Sequence, residues 1–220
     1  MLQRSTLQYI KDLTNNNNKP WFEENRPLFE KAKADFEILV KNIIATFGKI
    51  DADIAPLEAK NCIFRQYRDV RFSKDKTPYK SNMGASFDRG GKNSGFAGYY
   101  LHIEPGKSLA GGGIWMPAGE QLKKIRQEID YNWEEFDAII NERQFKKIYG
   151  SLEQGEYKLS REPKGYEKDN PAIEYLKLKS VIAIKPLSDA ELVSKDLLQT
   201  IVGAFTALMP LVKFINRSLE

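Results

Sequence analysis

The sequence predicts an α+β fold in a single domain, residues 1–220, with a mainly antiparallel or mixed central sheet packed by N- and C-terminal helices. Three observations predict it. Apolar residues recur at helical intervals at both ends of the chain, they alternate with a period of two between residues 62 and 116, and a short branched run at 180–185 adds a strand. At 220 residues and 41% hydrophobic composition the chain is long enough for one sizeable core and short for two.

The first 50 residues are read as helical. Leu7, Ile10 and Leu13 mark a short helix over 5–14, and Asn15 to Asn18 end it with residues that tolerate turns. Pro20 suits a first helical position. Beyond Pro27, Phe29, Ala32, Phe36, Leu39, Val40, Ile43, Ile44 and Phe47 form one helical stripe that stops at Gly48. Trp21 and Phe22, at the entrance to this helix, are read as core rather than as walls of a ligand cleft.

Residues 62–72 are expected to be the first strand. Alternation would turn Cys62, Phe64, Gln66, Arg68, Val70 and Phe72 to one face and Ile63, Arg65, Tyr67, Asp69 and Arg71 to the other. Strands at 82–87, 96–104 and 108–116 follow, separated by a glycine-rich loop at 88–95 and a Pro105-Gly106-Lys107 turn. Short helices are expected at 121–129, 133–140, 144–149 and 171–178. Between them, 150–170 is a charged loop with Tyr157, Arg161, Pro163, Lys164, Gly165 and Tyr166, and is a candidate lid. Ser188 and Glu191 have capping-box spacing, and Leu198, Ile201, Val202, Phe205, Leu208, Met209 and Val212 make an apolar helical stripe reaching Pro210.

Charge is concentrated in one place. Between residues 65 and 80, six basic side chains (Arg65, Arg68, Arg71, Lys74, Lys76, Lys80) stand against Asp69 and Asp75, a local excess of four that equals the formal net charge of the whole chain. Arginine forks bind carboxylate or phosphate through two hydrogen bonds at once, so this stretch reads as an anion site. Arg65, Arg68, Arg71 and Lys80 are the candidate anion ligands, Asp69 would orient the arginines, and Tyr79 and Tyr100 would give polar tips to the walls. The bland alternative is a set of ordinary surface ion pairs.

The lone histidine, His102, alternates onto the same strand face as Tyr100 and Glu104. A histidine beside a carboxylate is the arrangement of a base with an orienting partner, which makes His102 and Glu104 the candidate acid or base. Gly111-Gly112-Gly113 matches no phosphate-loop or dinucleotide pattern; it reads as a bulge or as open space on the sheet face.

Composition sets limits. One cysteine excludes an internal disulfide, and one cysteine with one histidine cannot build a structural zinc cluster, so no metal site is assigned; a magnesium or calcium site of Glu104, Asp69 and Asp75 is disfavoured by the neighbouring arginines. Cys62, on the expected core face, is read as inert. The apolar C-terminal run is interrupted and read as a buried helix rather than a membrane span, and a cytoplasmic location is the expectation.

The motifs Tyr67-Arg68-Asp69-Val70-Arg71-Phe72, Lys74-Asp75-Lys76-Thr77-Pro78-Tyr79-Lys80 and Gly98-Tyr99-Tyr100-Leu101-His102-Ile103-Glu104-Pro105-Gly106, with Pro163-Lys164-Gly165 and Leu176-Lys177-Leu178-Lys179-Ser180, together resemble the family designated domain of unknown function 2461. The resemblance covers nearly the whole chain and implies a shared site without naming a reaction. It also implies histidine where this chain has Asn82 and Asn170, a departure that argues against a histidine relay. Three functions stay open: a pocket, enzymatic or not, for a small molecule bearing phosphate or carboxylate; a nucleic-acid binder stacking bases on Tyr67, Phe72 and Tyr79; and an interaction domain without chemistry.

Overall fold

Two long amphipathic helices pack with a four-stranded meander at the centre of the fold. The computed structural model describes residues 1–155 and 158–220. Helix α1 (Arg4–Asn15) buries Thr6, Tyr9, Ile10 and Leu13 on one helical face, and α2 (Lys19–Glu24) is capped by the Asn18 side chain, which accepts the Trp21 N–H at 3.0 Å. Helix α3 (Arg26–Phe47) buries the predicted stripe from Ala32 to Phe47. It ends at Gly48 in right-handed backbone; a Cβ there would lie 2.6 Å from the Ile44 carbonyl and 2.8 Å from Ala55 Cα, so close approach of the returning chain explains this glycine.

The expected strand at 62–72 is not one. Cys62 closes a single helical turn, α4 (Ala59–Cys62), and the chain then runs irregularly to Asn82 with two isolated bridges, Ile63 to Ala85 and Tyr67 to Tyr79. The expected core face fails with it: Gln66 is buried but Phe72 is 96% exposed. The segment is held by specific anchors instead. Asn17 brackets Tyr79, donating to its carbonyl at 2.9 Å and accepting its N–H at 3.1 Å, and the Tyr79 ring stacks on Phe22 with centroids 4.0 Å apart. Tyr79 is therefore core, as is Phe22.

The remaining strands fall where alternation places them. β1 (Met83–Asp88), β2 (Gly98–Ile103), β3 (Ser108–Ile114) and β4 (Val181–Leu187) form one antiparallel sheet in the order β1-β2-β3-β4. Met83, Ala85, Phe87, Tyr99, Leu101, Ile103, Ala110, Val181 and Ala183 make its buried face. Helix α10 (Leu197–Arg217) packs there, against β3 and α3, burying Ile201, Phe205, Leu208 and Phe214 among others. By length and composition α10 could cross a membrane, but its apolar stripe lies on the sheet. Pro210 is on its exposed side.

Helices α5 (Gly119–Tyr131), α6 (Trp133–Asn141), α7 (Arg143–Tyr149) and α8 (Ile173–Leu176) complete the packing, and the Ser188–Glu191 capping box is formed at α9 (Asp189–Leu192). In the candidate lid, Tyr157 lies outside the described residues. No described residue of 150–170 lines the cavity below.

Candidate functional site

The second face of the sheet carries a cavity of about 720 Å³. Its floor follows from strand register, which sets Ser86 opposite Tyr100, Tyr100 opposite Gly111 and Gly111 opposite Ile184, with Asp88, Gly98, Gly113 and Ile182 forming the next row. The walls are Phe64 and Lys80 from the irregular segment, Phe96 from the loop after β1, and Trp115, Met116 and Gln121 from the passage into α5. Met116 has φ of 43°, rare for a bulky side chain, and its N–H donates to Ser180 Oγ at 2.9 Å.

Glycines shape this floor by close approach. A Cβ on Gly98 would lie 2.1 Å from Asp88 Oδ1, so the carboxyl of β1 lies across bare backbone of β2. Reciprocally, a Cβ on Gly84 would lie 2.8 Å from the Tyr100 hydroxyl. At Gly111 and Gly113 a Cβ would run into the carbonyls of Ala183 and Val181, at 2.3 and 2.0 Å. The triple glycine is thus required by the spacing of β3 against its neighbours, and the flat floor is a consequence.

Asp88 receives a 2.7 Å hydrogen bond from Ser86 Oγ, its only side-chain donor among the described residues. Burial pushes its carboxyl up to about 6, with the Ser86 bond opposing that rise. Cys62 beneath it is fully buried, and burial, then the Asp88 charge, pushes its thiol up to about 11.

Lys80 meets a different environment. Its ammonium stands 5.1 Å from the centre of the Phe64 ring and has no carboxylate or hydrogen-bond partner among the described residues. Burial lowers its proton affinity, and the positive charge of Arg65 lowers it further. Arg65 itself is exposed and likewise has no ion pair among the described residues.

His102, Glu104 and Tyr100 do come together, in a chain. The His102 Nδ1 accepts from Asn82 Nδ2 at 2.8 Å and from the Tyr100 hydroxyl at 3.2 Å, which puts the ring proton on Nε2, where it is donated to Glu104 Oε2 at 2.9 Å. Both ring nitrogens are thereby occupied by protein groups, and neither His102 nor Glu104 lines the cavity. They hold the Tyr100 hydroxyl, whose proton affinity is raised by burial and then by Glu104. The expected pairing of His102 with Glu104 is present, and it stands beside the cavity rather than in its lining.

The arginines are largely spoken for. Arg71 grips Asp69 through Nε at 3.0 Å and Nη2 at 2.7 Å, on the exposed surface, and Arg68 bonds Asp75 and both oxygens of Thr77. Asp75 is held down to about 2, first by the Thr77 N–H and then by Arg68. Of the residues expected to bind a ligand, Lys80 and Tyr100 line the cavity; Arg65, Arg68, Asp69, Arg71 and Tyr79 do not. Alternation within a strand that does not form had set Arg65, Asp69 and Arg71 on one face.

Ser86, Asp88, Phe96, Trp115 and Gln121 were missed as site residues. Asp88 was legible only through register: pairing 83–88 with 98–103 brings it to the face of Tyr100, and the long connection between these strands hides that pairing. No curated protein and no solved structure matches the chain. The family model described as a conserved hypothetical protein, domain of unknown function 2461, matches residues 5–214, and the chain belongs to that family.

Proposed function

We propose that the cavity binds a small molecule through a phosphate or carboxylate, with the Lys80 ammonium as the direct partner of that anion. The observation that carries this reading is a lysine withdrawn into a cavity of ligand size with a ring face, and no carboxylate among the described residues, against its charge. An anion would offset both the burial and the Arg65 repulsion that weaken its hold on the proton. Arg65 adds positive field, while Arg68 and Arg71 already have carboxylate partners. Asp88, its carboxyl pushed up to about 6 by burial, is the group that would accept or return a proton if the bound molecule reacts.

The test is thermal stabilisation by phosphate, sulfate, citrate and a panel of nucleotides, sugar phosphates and carboxylic acids. Ligands that bind the native state raise the melting temperature of wild type and of Arg71→Ala alike, and fail to raise that of Lys80→Met. Equal rises in all three proteins indicate a bulk salt effect and remove the reading.

One observation favours nucleic acid as a second reading. Phe72 is 96% exposed, with the Arg71 guanidinium 5.8 Å from its ring centre. With few unpaired cations nearby, the expected binding of labelled single strands is weak and lost at physiological salt. Tight binding that survives such salt and requires Phe72 would replace the small-molecule reading.

A further inference from the structure

The cavity holds a second pole, and it is of opposite sign. Asp88 and Lys80 both line it, yet they form no ion pair, and neither charge figures among the causes that move the other's proton affinity. Ser86 satisfies one oxygen of the Asp88 carboxyl from within its own strand. No cation of the described residues pairs with that carboxyl, which leaves its second oxygen open to a donor from a bound molecule. The floor has bare backbone at Gly111 and Gly113, beside Tyr100, Ile182 and Ile184, and the walls include Phe64 and Phe96.

We infer that the ligand is bipolar: a flat, ring-bearing molecule with an acidic group for Lys80 and an N–H donor edge for the Asp88 carboxylate. This rests on the anion-binding reading above and narrows it. Glycine backbone at the floor and aromatic walls offer flat surfaces to a planar body. A planar donor edge, such as an amidine or the amino–imino edge of a purine, meets a carboxylate through two parallel hydrogen bonds, and simple acids without that edge leave Asp88 unsatisfied.

Two sources of this chemistry are separable with matched pairs. Guanosine 5′-monophosphate is compared with purine riboside 5′-monophosphate, which lacks the donor edge; 4-amidinobenzoate is compared with 4-acetylbenzoate, which keeps the planar outline and the carboxylate without the N–H donors. Affinities are measured by isothermal titration on wild type, Asp88→Asn and Lys80→Met. In at least one pair the donor-bearing member binds wild type about tenfold tighter, about 1.4 kcal/mol, and Asp88→Asn abolishes most of that preference. Lys80→Met weakens both members. The pair that responds identifies nucleotide or non-nucleotide aromatic acid.

If both members of each pair bind wild type equally while Lys80→Met still weakens them, the bipolar ligand is wrong and the anion site stands. If the preference is present but unchanged in Asp88→Asn, Asp88 is not the second pole. If no member of either pair binds while simple anions stabilise wild type through Lys80, the bipolar inference again falls alone. If neither these compounds nor simple anions bind, both readings fall.

Discussion

Asp88 and Gly98 act as one unit at the scale of single residues. The carboxyl lies where any side chain on residue 98 would have to be, 2.1 Å from an ideal Cβ, and part of the contact is with the backbone of Asp88 itself. Rotation of the carboxyl alone cannot relieve the contact. Gly98→Ala is therefore expected to lose about 1–3 kcal/mol of stability, as overpacked sites do, and to turn Asp88 toward solvent. Urea denaturation measures the first effect. Carboxyl chemical shifts followed through a pH titration measure the second, with the Asp88 midpoint falling from about 6 toward its ordinary 3.8. An unchanged midpoint would mean that Asp88 is not held against residue 98. The exposed arginine pairs teach the reverse: Arg71–Asp69 is bidentate and well formed, but pairs of that exposure add little to stability, so their abundance in the sequence says little about where a ligand sits.

Among the elements, β3 is the least tolerant of change. A Cβ on Gly112 would lie 2.2 Å from the Gly98 carbonyl on one side and 2.9 Å from Leu208 Cδ2 of α10 on the other, so strand spacing and helix packing oppose it together. Gly112→Ala is expected to cost about 3 kcal/mol or to abolish folding at elevated temperature, read as a drop in urea midpoint; a cost below about 1 kcal/mol would show that β3 and α10 can part cheaply. The elements were legible wherever one periodicity served one packing surface: the stripe of α3, the alternation of β1, β2 and β4, and the apolar face of α10. The stretch from Cys62 to Lys80 misled because its aromatic and charged residues alternate like a strand while their partners are scattered. Tyr79 answers to Phe22 and Asn17, Gln66 to the backbone of Lys80, and Arg68 to Asp75 and Thr77. Period two in sequence requires a neighbouring strand to become a sheet edge, and β1 meets this segment through one isolated bridge, Ile63 to Ala85, with the Phe64 N–H on the Gly84 carbonyl, rather than through a ladder. The candidate site was half legible for the same reason. Lys80 and Tyr100 were visible as chemistry, whereas Asp88 became visible only when register brought two strands together.

For the whole molecule, the withdrawn carboxyl of Asp88 leaves a mark on stability that can be separated from every other titrating group. With its folded pKa raised to about 6 from an ordinary 3.8, the native state holds more protons than the unfolded state between those values, so its contribution is fully present below about 3.8 and is lost as pH rises through about 6. The shift of about two units sets a ceiling on the order of 3 kcal/mol. Most other perturbed carboxyls work in the opposite sense: Asp51, which accepts from Tyr99 at 2.6 Å and from Lys213 at 2.9 Å, and Asp75 beside Arg68 are depressed, and their stabilisation fades as pH falls. The wild-type profile alone therefore mixes the two. The difference between Asp88→Asn and wild type isolates one group, because the amide does not titrate while Asp51, Asp75 and the rest cancel. That difference is expected to be flat below about pH 4, to shift in favour of Asp88→Asn as pH rises to about 6, and to be flat again above it. Urea unfolding at closely spaced pH values checks the prediction. A difference that does not change across this window would mean that the carboxyl is as well solvated in the folded chain as in the unfolded one, and the cavity would then lack the withdrawn acid on which its second pole depends.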